Sequence, residues 1–143
     1  MPYLHLDLPG TYDANTKRRL ARRLGDTYCE IMKAKPGIVS VGFRELGANN
    51  LWKAGGIEPR PGAVIQCDVR RGRTAEQLRA VGQAIVALCE EELSIPATDI
   101  VVEFTQHTAD EWYVGGVEVQ EWQPGERGAT AAGEATASAL TSR

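Results

Sequence analysis

The string Leu51-Trp52-Lys53-Ala54-Gly55-Gly56-Ile57 returns as Glu111-Trp112-Tyr113-Val114-Gly115-Gly116-Val117. Trp52 and Trp112 lie 60 positions apart, and so do Gly55 and Gly115. Self-similarity at a fixed period marks a repeated supersecondary unit, so the segments before each tryptophan should match as well. They do. In the first copy Leu4, Leu6 and Leu8 alternate with His5 and Asp7, a half-buried strand. Leu20, Leu24, Tyr28 and Ile31 then recur at helical spacing. Val39, Val41 and Phe43 alternate with Ile38, Ser40 and Gly42, a second strand. In the second copy 63–69 reads as a strand, Leu78, Val81, Ile85 and Leu88 as a helix face, and 100–104 as a strand. A helix between two strands is a crossover, which makes the two strands of each copy parallel. Each copy is thus a β-α-β unit with a small hairpin arm after it.

Local punctuation agrees with these elements. Thr11 or Asp13 caps the first helix and Lys35-Pro36-Gly37 ends it. Thr74 and Gln77 have the spacing of a capping box for the second helix, which Ile95-Pro96 closes. Glu58-Pro59-Arg60-Pro61-Gly62 has linker composition between the copies. The expected fold is α+β in two layers: a four-stranded mixed sheet, two helices on one face, and short hairpin arms. One domain covers 1–123, with repeats at 2–58 and 62–119. From Pro124 onward Gly, Ala, Thr and Ser dominate, and 128–143 holds one leucine and no aromatic residue, the composition of a disordered tail.

With 143 residues, 43% hydrophobic and 24% charged, the chain is long enough for one real core. A net charge of −3 argues against non-specific nucleic-acid binding. No apolar run is long enough to span a membrane, and no basic-then-apolar leader opens the chain, so a cytoplasmic location is expected. Cys29, Cys67 and Cys89 are odd in number and widely spaced, as free thiols in a reducing compartment would be. Two histidines are too few for a zinc site, and no cofactor is expected. Lys17, Arg18, Arg19, Arg22 and Arg23 read either as a phosphate-binding stripe or as a solvated helix face, and the acidity of the chain favours the second.

The chemistry points to Pro2. Proline in second place permits removal of the initiator methionine, which would leave a free secondary amine joined to the first strand. Two β-α-β units in one sheet commonly pair about a pseudo-twofold axis. The strand at 3–8 then runs antiparallel to the strand at 63–69, and its start lies beside the other's end. Immediately past that end come Arg70-Arg71-Gly72-Arg73, at the N-terminus of the second helix. Backbone N–H groups and arginine forks at such a place bind carboxylates. The same cations disfavour protonation of the proline amine, which ordinarily titrates near ~7.7–8.0. A neutral amine at neutral pH is a general base. An ordinary solvated turn is the bland alternative for these arginines. In the second copy the position matching Pro2 is near Gly62, inside the chain, so one proline site per chain is expected.

An amino-terminal proline, a duplicated β-α-β unit and arginines facing the proline together resemble the tautomerase superfamily. Length and the Arg70-x-Gly72-Arg73 spacing look most like the cis-3-chloroacrylic acid dehalogenase group, over roughly residues 2–123. The resemblance implies that Pro2 is the general base or acid, that Arg70 and Arg73 bind a substrate carboxylate, and that chains assemble as a homotrimer. It also implies departures. Tyr28 falls where the dehalogenases carry a histidine, Glu103 where they carry a tyrosine, and Val114 where they carry a glutamate, with Glu111 and Glu118 nearby. Tyr28 and Glu103 are therefore expected to line the pocket. The leading expectation is a cofactor-independent tautomerase of small 2-oxo or 2-hydroxy-enoic acids. A hydratase or dehalogenase of three-carbon unsaturated acids is the second, with Glu103 orienting water. A non-catalytic trimeric binding protein with a vestigial proline site, as the resemblance to migration inhibitory factor allows, is the third.

Overall fold

The computed structural model describes residues 2–128. Its central strand is β1 (Tyr3–Leu8), in which Leu4, Leu6 and Leu8 are fully buried while His5 and Asp7 are half-buried on the opposite face. The chain then turns at Pro9-Gly10 into α1 (Ala14–Ile31). Asp13 is the cap, its Oδ1 accepting from Thr16 N–H at 2.8 Å. Strand β2 (Ser40–Glu45) returns parallel to β1, with Leu4 opposite Val41 and Leu6 opposite Phe43. The second copy supplies β5 (Ala63–Arg70), α2 (Ala75–Leu93) and β6 (Ile100–His107). Thr74 and Gln77 form the reciprocal capping box of α2.

The four long strands make one sheet in the order β2-β1-β5-β6. Both outer pairs are parallel, and the central pair, β1 with β5, is antiparallel. Pseudo-twofold pairing of the two copies is therefore realised. Leu20, Leu24 and Tyr28 from α1 and Val81, Ile85 and Cys89 from α2 pack with Leu4, Leu6, Ile65 and Cys67 into one core. Burying each large aliphatic there stabilises the fold by about 1.5–3 kcal/mol. The face of the sheet away from that core carries a polar row. His5 Nε2 lies 3.7 Å and His107 Nε2 3.4 Å from the Asp68 carboxylate, and Gln66 donates to Glu103 at 2.7 Å.

The two arms differ. In the first, β3 (Trp52–Lys53) pairs with β4 (Arg60–Pro61), so residues expected as linker form the return strand. A two-residue strand with a single partner tolerates the missing proline N–H, and Arg60 is tied to Asp99 at 2.6 Å. In the second, β7 (Tyr113–Val114) turns back tightly through Gly115 and Gly116 into β8 (Val117–Glu118). Both glycines have positive φ, 58° and 81°, as this turn requires.

The basic face of α1 is a pinned, partly solvated surface. Arg19 and Arg23 reach Glu92 and Glu91 of α2 at 2.7–2.9 Å, and Lys17 pairs with Glu45. Chain order continues past 124: Glu126–Gly128 forms a 3-10 turn, and the rest of the expected tail, 129–143, lies outside the described residues. Among the described residues no helix is long and apolar enough to cross a membrane.

Candidate active site

The register of the central pair sets the site. Tyr3 is opposite Asp68, so one step further along both strands Pro2 comes to the end of β5 that bears Arg70. Pro2 is buried, and its carbonyl accepts from Ser40 N–H at 3.0 Å, which fixes this end of β1 against β2. Ile38, just before β2, and Arg70 both line a cleft of about 520 Å³, together with Val114, Val119 and Gln120.

Arg70 is 4% exposed. Its Nη1 donates to the Gln120 carbonyl at 2.6 Å and its Nη2 to Glu126 Oε1 at 2.7 Å, while Nε is buried without a partner. Arg73 is also buried. Its Nε donates to the Met32 carbonyl at 3.3 Å, at the end of α1, and its Nη1 to the Arg70 carbonyl at 3.2 Å. The Arg73 guanidinium lies 4.5 Å from the centre of the Trp122 ring, a cation–π contact. Burial pushes Arg73 below its ordinary value; Tyr28 opposes that shift and Arg70 adds to it. Arg71 is exposed and contributes only its backbone N–H, to the His107 carbonyl at 2.9 Å.

Tyr28 enters from α1. Its hydroxyl is buried with no partner, and burial raises its pKa strongly, against the lowering effects of Arg73 and Arg70. Burial thus favours its neutral phenol form. Glu103 stands apart. Val102 and Phe104 pack against the core, whereas Glu103 is on the opposite face of the sheet, exposed and bonded to Gln66. Within one chain the fold thus gathers Pro2, Tyr28, Arg70 and Arg73 at one end of the sheet and leaves Glu103 outside the group.

Gln120, Trp122 and Glu126, which touch the two arginines, were not expected from the sequence. The one available signal was Trp122, the last aromatic residue before a stretch of tail-like composition. None of the cysteines joins the site as a nucleophile. Cys67 and Cys89 are buried free thiols, pushed up to about 12 chiefly by burial, and Cys29 donates to the Lys35 carbonyl at 3.2 Å. Among the described residues no group of three or more His, Cys, Asp or Glu is placed to hold a metal.

Known proteins share this fold. The family model described as Tautomerase enzyme matches residues 64–121, the second copy of the repeat. A crystal structure of N1, a member of the cis-3-chloroacrylic acid dehalogenase family, superposes with a TM-score of 0.77 at 23% identity, covering 94% of this chain and 91% of its own. Pt0534 inactivated by 2-oxo-3-pentynoate gives 0.72 at 24% identity, covering 81% and 94%. A fused 4-OT described as a symmetric trimer gives 0.73 at 20% identity, covering 82% and 94%. A search of curated protein sequences finds no match. The fold, and the sequence pattern of its second half, are those of the tautomerase superfamily. As a fold, the similarity extends to a member of the cis-3-chloroacrylic acid dehalogenase family and to fused 4-OT chains.

Proposed function

We propose that the protein is a cofactor-independent tautomerase of small 2-hydroxy-2-enoic acids, with Pro2 as general base and acid. The reading requires removal of Met1, so that Pro2 nitrogen is an amine. That nitrogen takes the proton of the enol hydroxyl, the electron pair closes the C2 carbonyl, and the protonated amine returns a proton to C3, giving the 2-oxo acid. Arg70 receives the carboxylate, and its charge stabilises the enolate that develops beside it. Arg73 holds the turn that carries Arg70, and the neutral Tyr28 hydroxyl faces the same region as a hydrogen-bond donor. The observation that carries this reading is the antiparallel register of β1 and β5, which joins the start of one strand to the arginine-bearing end of the other.

The test is steady-state turnover of an enol acid such as phenylenolpyruvate, together with labelling by 2-oxo-3-pentynoate, the inactivator of the similar Pt0534 fold. Turnover with a mass adduct on Pro2 supports the proposal; absence of both removes it. A second reading, a binding protein with an idle proline, is favoured by one feature: both arginines already hold partners within the chain. Tight carboxylate binding without turnover would select it.

A further inference from the structure

We infer that residues 119–127 form a strap that seats an internal carboxylate, Glu126, on Arg70, and that an acid entering the site binds by exchanging with it. Glu126 is thereby a specificity-determining residue. The inference rests on the reading of Arg70 as a carboxylate seat. The contact itself has the character of a bound ligand: a buried guanidinium, a carboxylate only 13% exposed, and 2.7 Å between them. Such charge-assisted bonds are strong where water is excluded.

Glu126 is an incomplete occupant. It bonds Nη2 through Oε1, and Arg70 Nε is left buried with no acceptor. A free carboxylate that spans Nε and Nη2 in the usual fork satisfies both donors. The Tyr28 hydroxyl, also buried without a partner, offers a further bond to an incoming oxygen. The strap therefore holds the seat while leaving a bidentate acid the better match, and differential contacts of this kind drive exchange between two states.

The rest of the strap is anchored independently of Glu126. Trp122 lies over Arg73, and its Nε1 donates to the Lys33 carbonyl at 3.2 Å. Gly72 makes room for that indole: a Cβ there would come within 3.2 Å of Trp122 Cε3. Beyond it Pro124 and Gly125 form a turn, with Gly125 at a φ of 90°. Arg127, the next residue after Glu126, is held to the Cys29 carbonyl at 3.3 Å, so Glu126 leaves Arg70 by rotation of its own side chain while Trp122 and Arg127 stay seated. Ligands without a carboxylate cannot make the fork, gain nothing over Glu126 and are excluded.

The test titrates the full chain with acrylate, and with methyl acrylate as the uncharged control, by calorimetry and by tryptophan fluorescence. Glu126→Gln removes the internal competitor and should tighten acrylate binding by about tenfold, with methyl acrylate unchanged. Glu126→Asp shortens the arm and should also tighten binding, which covers the case in which Gln perturbs folding. Equal or weaker acrylate affinity in both variants overturns the inference, as does the absence of acrylate binding in every form. The outcomes separate from those of the proposed function. If the strap reading fails alone, enol-acid turnover and its dependence on Pro2 persist. If the tautomerase reading fails alone, no form turns over enol acids, yet acrylate still competes with Glu126.

Discussion

Trp122 lies against the guanidinium of Arg73, 4.5 Å from ring centre to Cζ, and the backbone of Gly72 makes the space that lets it do so. Gly72 sits at a φ of 113°, where L side chains are strained, and an added Cβ would meet the indole at 3.2 Å. Gly72→Ala should therefore lower stability by about 1–3 kcal/mol and displace the strap. A thermal melt, read with a red shift in tryptophan emission, checks this; an unchanged melt and spectrum would mean that the turn accommodates a side chain.

The three arginines after β5 should separate by role. Arg70→Ala removes the proposed carboxylate seat and should cut kcat/KM for an enol acid by about 10²-fold or more. Arg73→Ala should cost folded stability as well as activity, because its guanidinium bonds the Met32 and Arg70 carbonyls. Arg71→Ala should change little, since that side chain is exposed. Kinetics and melts on the three variants decide it, and equal losses at all three positions would contradict the assignment.

Alkaline pH should weaken the fold through its buried thiols. Cys67 and Cys89 are held up at about 12 by burial, from an ordinary value of 9.0. Between those values the unfolded chain has lost its thiol protons and the folded chain has kept them, so stability falls as pH rises, by ~1.4 kcal/mol per unit for each thiol. Below pH 9 this contribution is fully present. Denaturant melts from pH 8 to 11 should show the decline, and Cys67→Ala with Cys89→Ala should make it shallower, Cys29 and Tyr28, also raised by burial, supplying the remainder. A slope unchanged in the double variant would place its cause elsewhere.

Assembly should cover the apolar groups that the single chain leaves in water. Trp52 is 47% exposed, Tyr113 63% and Val117 69%, all on the two arms, and Val101 is exposed at the edge of the sheet. Aromatic groups of this kind are favoured at subunit contacts. Light scattering at micromolar concentration should give three times the chain mass. A monomer mass would leave those groups unexplained.

Most of the fold was legible because period decides it. Alternating Leu4, Leu6 and Leu8 and the helical recurrence of Leu20, Leu24 and Tyr28 each admit one reading, and the 60-residue repeat of Trp-x-x-Gly-Gly implied the topology. The juxtaposition of Pro2 with Arg70 came from that topology alone. Three things were not legible. Pro59 and Pro61 look like linker, yet Arg60–Pro61 completes a hairpin through its pairing with Trp52–Lys53. Glu103 was expected in the pocket, although Val102 and Phe104 on either side already assigned it by alternation to the opposite face. The strap was hidden because its contacts are single and long-range: Trp122 to Lys33 and Arg73, and Glu126 to Arg70. No periodicity marks such contacts.

The central claim is that the nitrogen of Pro2 moves the proton, and one variant tests it most directly. A chain with additional residues before Pro2, protected from trimming, turns that nitrogen into an amide that accepts no proton. The change leaves Leu4, Leu6 and Leu8 in the core and the arginines in place. With intact mass confirming that the unextended protein begins at Pro2, its kcat/KM for an enol acid should rise with pH along a limb centred below ~7.7–8.0, because nearby cations disfavour the protonated amine. The extended variant should lose about 10²-fold or more in kcat/KM, the low end of what a positioned general base contributes, while binding acrylate as before. Turnover by the extended variant at the unextended rate would contradict the account.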